Sequence, residues 1–250
     1  MIDFHSHILP NLDDGPSEIE TSLEMLKSAK ADGIDKVVST SHIYITDDKS
    51  IDKFLINREN AYNKLKDAIN SNKANFPKVV LGAEIHIRRG IGEYKHLDSL
   101  KIEGTDYILL EMPYSQWKEE HLETVYDIKS RGLIPVMAHI ERFYEYRDMF
   151  DDLKSIGVKF QVNADSFLEK QSAKLMYDLF QNGYVHLLGS DMHNLDSRKN
   201  NLKEAYQVIS KKFGKEYSDY LKDNAKKFFA GKEITDKELP RLSFIKKLKL

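Results

Sequence analysis

At 250 residues the chain is long enough for one barrel-sized domain with a well-buried core. A formal net charge of -2 argues against a nucleic-acid binder that relies on bulk positive charge, and no apolar run approaches the ~18 residues of a membrane span. Cysteine is absent, which removes disulfides, zinc–thiolate sites and every mechanism with a thiolate nucleophile.

The first residues already read as a strand (2–5) rather than a leader, so a cytoplasmic location is expected. Ser17 to Glu20 has the form of a capping box, opening a helix with Leu23, Leu26, Ala29 and Ala31 that stops at Gly33. A second strand (36–41) and a helix (54–70) follow, then strands at 78–85 and 107–111. From there helices at 119–131, 146–156, 167–181 and 201–213 alternate with strands at 134–139, 159–163 and 185–189. Val37-Val38, Val79-Val80-Leu81 and Ile108-Leu109-Leu110 are continuous apolar runs, as in strands buried on both faces. Gly132, Gly157 and Gly183 each follow a helix where a C-terminal cap would sit. Repeated strand–helix units imply an α/β fold of parallel strands with right-handed crossovers, and about seven such units make a closed or nearly closed TIM-like barrel the economical solution. No linker-like stretch divides the chain, so 1–250 reads as a single domain, with 216–250 a C-terminal helical extension. In that extension 216–229 has helical spacing, and the apolar, basic tail 239–250 (Arg241, Lys246, Lys247, Lys249) is expected to pack over the barrel bottom.

Polar residues fall at one end of these strands. His5 and His7 lie one residue apart, on the same side of an extended chain. Asp14 lies in the first loop, His42 ends the second strand, Glu84 the third, Glu111 the fourth and His139 the fifth, while Asp191 and His193 end the last. Strand C-termini of a parallel barrel face one mouth, so these side chains should converge there. Clustered carboxylates repel one another unless cations neutralise them, and that predicts a metal site of nitrogen and oxygen donors suited to Mn, Fe, Zn or Mg. One zinc-like site takes about three protein ligands, so nine candidates fill two or three sites. Ions ~3.5–4 Å apart need a shared ligand, for which Glu84 is the candidate. His86, His96, His121 and His186 are given no metal role, because they fall on loops, helices or strand interiors.

The ordered motifs Asp3-Phe4-His5-Ser6-His7-Ile8-Leu9-Pro10, Asp13-Asp14-Gly15-Pro16, Ser39-Thr40-Ser41-His42, Gly82-Ala83-Glu84-Ile85, Ala138-His139-Ile140-Glu141-Arg142 and Ser190-Asp191-Met192-His193-Asn194 resemble the polymerase-and-histidinol-phosphatase (PHP) superfamily. Within it the chain is most similar to bacterial manganese-dependent tyrosine-protein phosphatases of the CpsB/CapC type, found with capsule and exopolysaccharide genes. The resemblance runs to about Asp223. It implies a distorted seven-stranded barrel with three divalent ions, Mn2+ with Fe or Zn as alternatives. His5, His7, Glu84 and Asp191 would hold the first ion, Glu84, Glu111 and His139 the second, and Asp14, His42 and His193 the third. Arg142 and Arg198 fall where the family binds phosphate, and Asp14 or His193 could position a proton for the leaving group. The implied substrate is phosphotyrosine in a protein, namely the tyrosine-rich tail of a cognate bacterial tyrosine kinase that regulates polysaccharide export, with membrane proximity only through that kinase. One departure is visible: Ile43-Tyr44 follow His42 where relatives often carry a basic residue or another His, which bears on the substrate rim.

Three rivals share parts of this pattern. A histidinol-phosphate-type phosphoesterase would use the same ligands. An amidohydrolase would want a carbamylated Lys where Glu84 and Glu111 stand, and a non-catalytic metal-binding barrel would be expected to have lost ligands.

Overall fold

The computed structural model describes residues 1–236 and 239–240. Among the described residues nine strands are formed: β1 (Ile2–Ser6), β2 (Lys36–Ser39), β3 (His42–Ile43), β4 (Lys78–Leu81), β5 (Glu84–His86), β6 (Tyr107–Glu111), β7 (Ile134–Met137), β8 (Lys159–Asn163) and β9 (Leu187–Gly189). Every pairing is parallel, in sheets ordered β1-β2-β4 and β3-β5-β6-β7-β8-β9. The seven expected runs become nine strands because the second and third each break in two.

Both breaks have local causes. At Thr40 the side-chain hydroxyl joins the ladder, accepting from the Ser6 amide at 3.2 Å and donating at 3.2 Å to the Ser6 carbonyl, which also accepts from the Thr40 amide at 2.8 Å. At Gly82 the carbonyl accepts from Arg58 Nη1 at 2.8 Å instead of from a neighbouring strand. The curl brings the chain's first and last strands together. The His7 amide donates to the Met192 carbonyl and the Asp191 amide to the His5 carbonyl, each at 2.8 Å.

Strand alternation then sorts the core. Val38, Val80, Tyr107, Leu109, Val136, Ala138 and Leu187 form a buried cluster inside the curl. Their neighbours Val37, Val79, Ile108, Leu110, Met137 and Leu188 belong to the larger cluster packed against the helices. The β1–β2 register shifts between Asp3 and Ser6, and this bulge lets Phe4 join the inner cluster while His5 and His7 still reach the site above it.

The helices are α1 (Ile19–Ala31), α2 (Asp48–Asn70), α3 (Glu119–Ser130), α4 (Phe150–Ile156), α5 (Ala173–Gln181), α6 (Leu202–Val208) and α7 (Lys215–Phe229). The Ser17 capping box does not form: Glu18 is the N-cap residue of α1 and makes no side-chain cap bond. The capping box belongs to α2, where the Ser50 amide donates to Asp47 Oδ1 at 2.7 Å and the Asp47 amide to Ser50 Oγ at 3.2 Å, so that helix starts at Asp48 rather than at Phe54. Helical turns of other pitch occupy Ile140–Met149 and Asp165–Phe167, ahead of α4 and α5, and Ile209–Phe213 after α6.

Helix α7 and the segment after it stop the bottom of the curl. The Phe228 ring lies 4.8 Å from Phe4 and 4.3 Å from Tyr107, and the Ile234 amide donates to Tyr107 Oη at 3.1 Å. Asp236 Oδ1 is 2.9 Å from His186 Nε2 and 3.3 Å from Lys159 Nζ, tying this strap to β8 and the approach to β9. The bottom is therefore covered by α7 and 230–236, whereas most of the 239–250 tail expected there lies outside the described residues. Among the described residues no helix is long and apolar enough to cross a membrane.

Candidate metal centre

All nine predicted donors meet above the apolar plug, but His42 and Glu84, expected to end their strands, instead open the short strands β3 and β5 that form after the breaks at Thr40 and Gly82. Glu84 is the hub. Its Oε2 lies 3.1 Å from His5 Nε2, 3.3 Å from His7 Nε2 and 3.1 Å from His42 Nδ1, while Oε1 lies 2.8 Å from His139 Nε2. Glu111 Oε1 is 3.4 Å from the same His139 nitrogen. Asp191 Oδ1 is 3.5 Å from His5 Nε2 and 3.6 Å from His7 Nε2. Asp14 Oδ1 is 3.1 Å from His193 Nε2 and 3.5 Å from His42 Nε2. Three overlapping groups have donor atoms close enough to share an ion: His5, His7 and Glu84; His42, Glu84 and Glu111; and His7, Asp14, His42 and His193.

Bonds of ~2.1 Å to one cation set neighbouring ligands about 3.0–3.5 Å apart, the spacing found here. His193 Nε2 is buried without a hydrogen-bond partner although the Asp14 carboxylate is beside it, as befits two lone pairs aimed at one cation. Charge points the same way. Asp13, Asp14, Glu84, Glu111 and Asp191 bring five carboxylates, against the two guanidiniums of Arg142 and Arg198. Burial alone would lower the imidazole pKa values, yet hydrogen bonds to Asp13 and Glu84 hold His7 up at about 10. At His139, bonds to Glu111 and Glu84 likewise overcome burial and hold it at about 9. Burial would raise Glu111, but its bonds to His139 and His86 bring it down to about 2. His193 is pushed down to about 4 by burial and by the charge of His7. The carboxylates that stabilise positive charge on His7 and His139 also favour a divalent cation, and His193 and His42, both held toward the neutral form chiefly by burial, are ready as nitrogen ligands.

The donors are aimed by neighbours that sequence reasoning did not single out. Asp13 Oδ2 accepts from His7 Nδ1 at 2.7 Å and from the His42 amide at 3.0 Å, which leaves His7 Nε2 free as a ligand. Gln161 Oε1 lies 3.0 Å from His5 Nδ1 and accepts from the His139 amide at 2.9 Å. Asn163 Nδ2 donates to Asp191 Oδ2 at 2.8 Å, and Gln161 Nε2 to Asn163 Oδ1 at 2.8 Å. His139 and Asp191 both take positive φ, 32° and 53°, a strained conformation for residues other than glycine that concentrates at functional positions. Gly189 makes room for the first ligand, since a Cβ there would lie 2.5 Å from that of His5.

Arg142 Nη2 donates to Asp191 Oδ2 at 2.5 Å, while Arg198 reaches Asp191 Oδ1 at 2.9 Å through Nη2 and Asp14 Oδ2 at 3.3 Å through Nη1. Both arginines line a cavity of about 240 Å³ directly over the donors, together with Tyr44, His86 and Tyr114. His86, set aside on sequence, is a wall of this cavity, with Nδ1 3.4 Å from Glu111 Oε2. Its signal was period two: Glu84 and His86 share a face of β5. The other three excluded histidines lie elsewhere: His96 beside Asp52, His121 accepting from the Lys118 amide at the start of α3, and His186 at the bottom.

The sequence profile of a family described as capsular polysaccharide synthesis, CpsB/CapC, matches residues 1–230. The chain belongs to the CpsB/CapC family. Among relatives, tyrosine-protein phosphatase YwqE of Bacillus subtilis (strain 168) is 32% identical over 235 residues, covering 90% of each chain. Tyrosine-protein phosphatase CpsB of Streptococcus agalactiae serotype III (strain NEM316) is 30% identical over 239 residues, covering 88% of this chain and 94% of the relative. A crystal structure from a study of Bacillus subtilis YwqE and Streptococcus pneumoniae CpsB, described as unique metal-dependent tyrosine phosphatases, superposes with a TM-score of 0.78 at 26% identity, covering 97% of this chain and 100% of that one. The phosphotriesterase homology protein of Escherichia coli shares the fold alone, at a TM-score of 0.51 and 12% identity over 91% of this chain and 98% of the other.

Proposed function

We propose that this CpsB/CapC family member is a metal-dependent protein-tyrosine phosphatase. The observation that carries the reading is the gathering of eight further nitrogen and oxygen donor residues around Glu84, beneath a cavity lined by two arginines, in a chain that contains no cysteine. The names of its relatives supply the substrate class. On this reading the strands form a distorted seven-run barrel, supported by the backbone bonds that join β1 to the segment after β9. His5, His7, Glu84 and Asp191 hold one ion, Glu84, Glu111 and His139 a second, and Asp14, His42 and His193 a third, with manganese the expected metal. Glu84 suits the bridging role because each of its oxygens faces different imidazoles.

The ions, when bound, supply Lewis acidity toward phosphoryl oxygens and a source of hydroxide near neutral pH. Arg142 and Arg198 project planar donors from the rim and clamp the non-bridging oxygens of a phosphomonoester, whose charge spreads outward as the P–O bond breaks. A phenol leaves with a pKa of about 10, so little proton assistance is required; of Asp14 and His193, only Asp14 keeps an atom turned away from the shared ion, its Oδ2 beside Arg198, where a proton for the leaving group would be positioned. The cognate substrate is the tyrosine-rich tail of a bacterial kinase governing capsule or exopolysaccharide synthesis.

The test is hydrolysis of a phosphotyrosine peptide by purified protein, with Mn2+ and after chelation, against histidinol phosphate as competitor. Metal-dependent release of phosphate from the peptide, lost in His7→Ala, is expected. Equal or better turnover of histidinol phosphate would replace this reading with the small-molecule one.

A further inference from the structure

The mouth of the site is divided by chemistry. Its cationic side comes from the segments after β7 and β9, which carry Arg142 and Arg198. The other side comes from β3, β5 and β6, successive neighbours in one sheet, whose ends carry Tyr44, His86 and Tyr114. Tyr44 is 64% and Tyr114 61% exposed, in a protein that otherwise buries most of its large apolar side chains. Two exposed phenols flanking one cavity ask for a ligand with an apolar face.

Both rings lean on neighbouring rings. Tyr114 lies 5.2 Å from Phe143, which packs 5.3 Å from Trp117, and its hydroxyl accepts from Arg142 Nη1 at 3.2 Å. Tyr44 lies 5.3 Å from His86 and 6.3 Å from His42. The cavity, about 240 Å³, is smaller than the ~300–1,000 Å³ of a typical small-molecule cleft, and so takes one side chain rather than a larger ligand.

We propose that Tyr44 and Tyr114 are specificity-determining residues that flank the aryl ring of the substrate, so that the site selects aryl over alkyl phosphomonoesters by contact with the ring as well as by leaving-group reactivity. The inference rests on the phosphatase reading and deepens it. Arg142 ties the two sides together, since it reaches both Asp191 and the Tyr114 hydroxyl. A ring seated between the tyrosines thereby sits in fixed register with a phosphoryl group held by the arginines.

Non-hydrolysable phosphonates separate ring recognition from reactivity. Calorimetric titration of manganese-loaded protein would compare phenylphosphonate with methylphosphonate. An aromatic pair contributes enough for about 2- to 10-fold in affinity, so two rings give a phenyl preference of about 10-fold or more. Tyr44→Ala and Tyr114→Ala should each cut that ratio several-fold, and Tyr44→Phe, which keeps the ring, should preserve it. Tyr114→Phe keeps the ring but frees Arg142, so it should weaken both phosphonates together and leave the ratio intact. Methylphosphonate binding with no phenyl preference, or a ratio unmoved in the Tyr44→Ala/Tyr114→Ala double variant, overturns the inference while sparing the phosphatase reading. Failure of both phosphonates to bind the metal-loaded protein removes both readings.

Discussion

Asp13 offers the sharpest test of how the donors are organised. It is not among the proposed ligands, yet its carboxylate accepts from His7 Nδ1 at 2.7 Å, from the His42 amide at 3.0 Å and from the Gly15 amide at 3.0 Å. Asp13→Asn keeps the shape and removes the charge. With the amide oxygen turned toward His7 and His42, the new NH2 confronts the Gly15 N–H and that bond is lost. At His7 a charge-assisted bond of about 1.5–3 kcal/mol becomes a neutral one of about 0.5–1.5 kcal/mol. The difference, ~1–1.5 kcal/mol, corresponds to about 10-fold weaker metal binding, at the low end of the 10- to 100-fold range for residues that orient ligands. The assay is calorimetric titration of chelator-stripped protein with Mn2+, paired with p-nitrophenyl phosphate hydrolysis across the same metal range. Activity should return to near the parent level once metal saturates. Metal affinity within twofold of the parent would refute the orienting role, and activity that saturating Mn2+ cannot restore would assign Asp13 a part in the chemistry.

Two further expectations concern the scaffold. Phe228→Ala empties the ring that plugs the curl between Phe4 and Tyr107, and should cost about 3–5 kcal/mol, lowering Tm by about 10 °C; a urea midpoint shift worth under ~1 kcal/mol would show that the bottom is not a packed core. Burial pushes Asp3 up to about 6, against its hydrogen bonds from Ser190. A raised carboxyl favours folding below its unfolded pKa of ~3.9 and loses that contribution as pH rises through about 6, a swing of about 3 kcal/mol. In chelator, Asp3→Asn should match the parent near pH 4 and exceed it in stability near pH 7. A difference that stays flat over this range would contradict the burial effect.

The strand ends and their donors were legible because two periodicities coincide. Apolar runs such as Val79-Val80-Leu81 mark strands buried on both faces, and in each run the switch to a polar residue marks the mouth. Glu84 and His139 could be read without coordinates for that reason. Features set by more than one strand were not. The bulge in β1 answers to pairing with β2, and the breaks at Thr40 and Gly82 to a hydroxyl from one strand and a guanidinium from α2. Ser17 met the capping pattern, but the chain enters α1 one residue later, at Glu18. Gln161 and Asn163 were within reach: polar side chains alternating with Phe160 and Val162 on β8 had to face something polar inside. His86 keeps no place among the metal groups, and its position as a cavity wall follows from sharing a face with Glu84, two positions before it.

The bonds that join β1 to the end of β9 have a consequence for synthesis. His5 and Asp191 are brought together by the same backbone contacts that complete the curl, so no metal-binding pair of this kind exists in a nascent chain that has not yet exposed residue 191 to the folding protein. Strand pairing across nearly the whole sequence is slow relative to local helix formation. The donor set is therefore incomplete until these two distant segments of the fold engage.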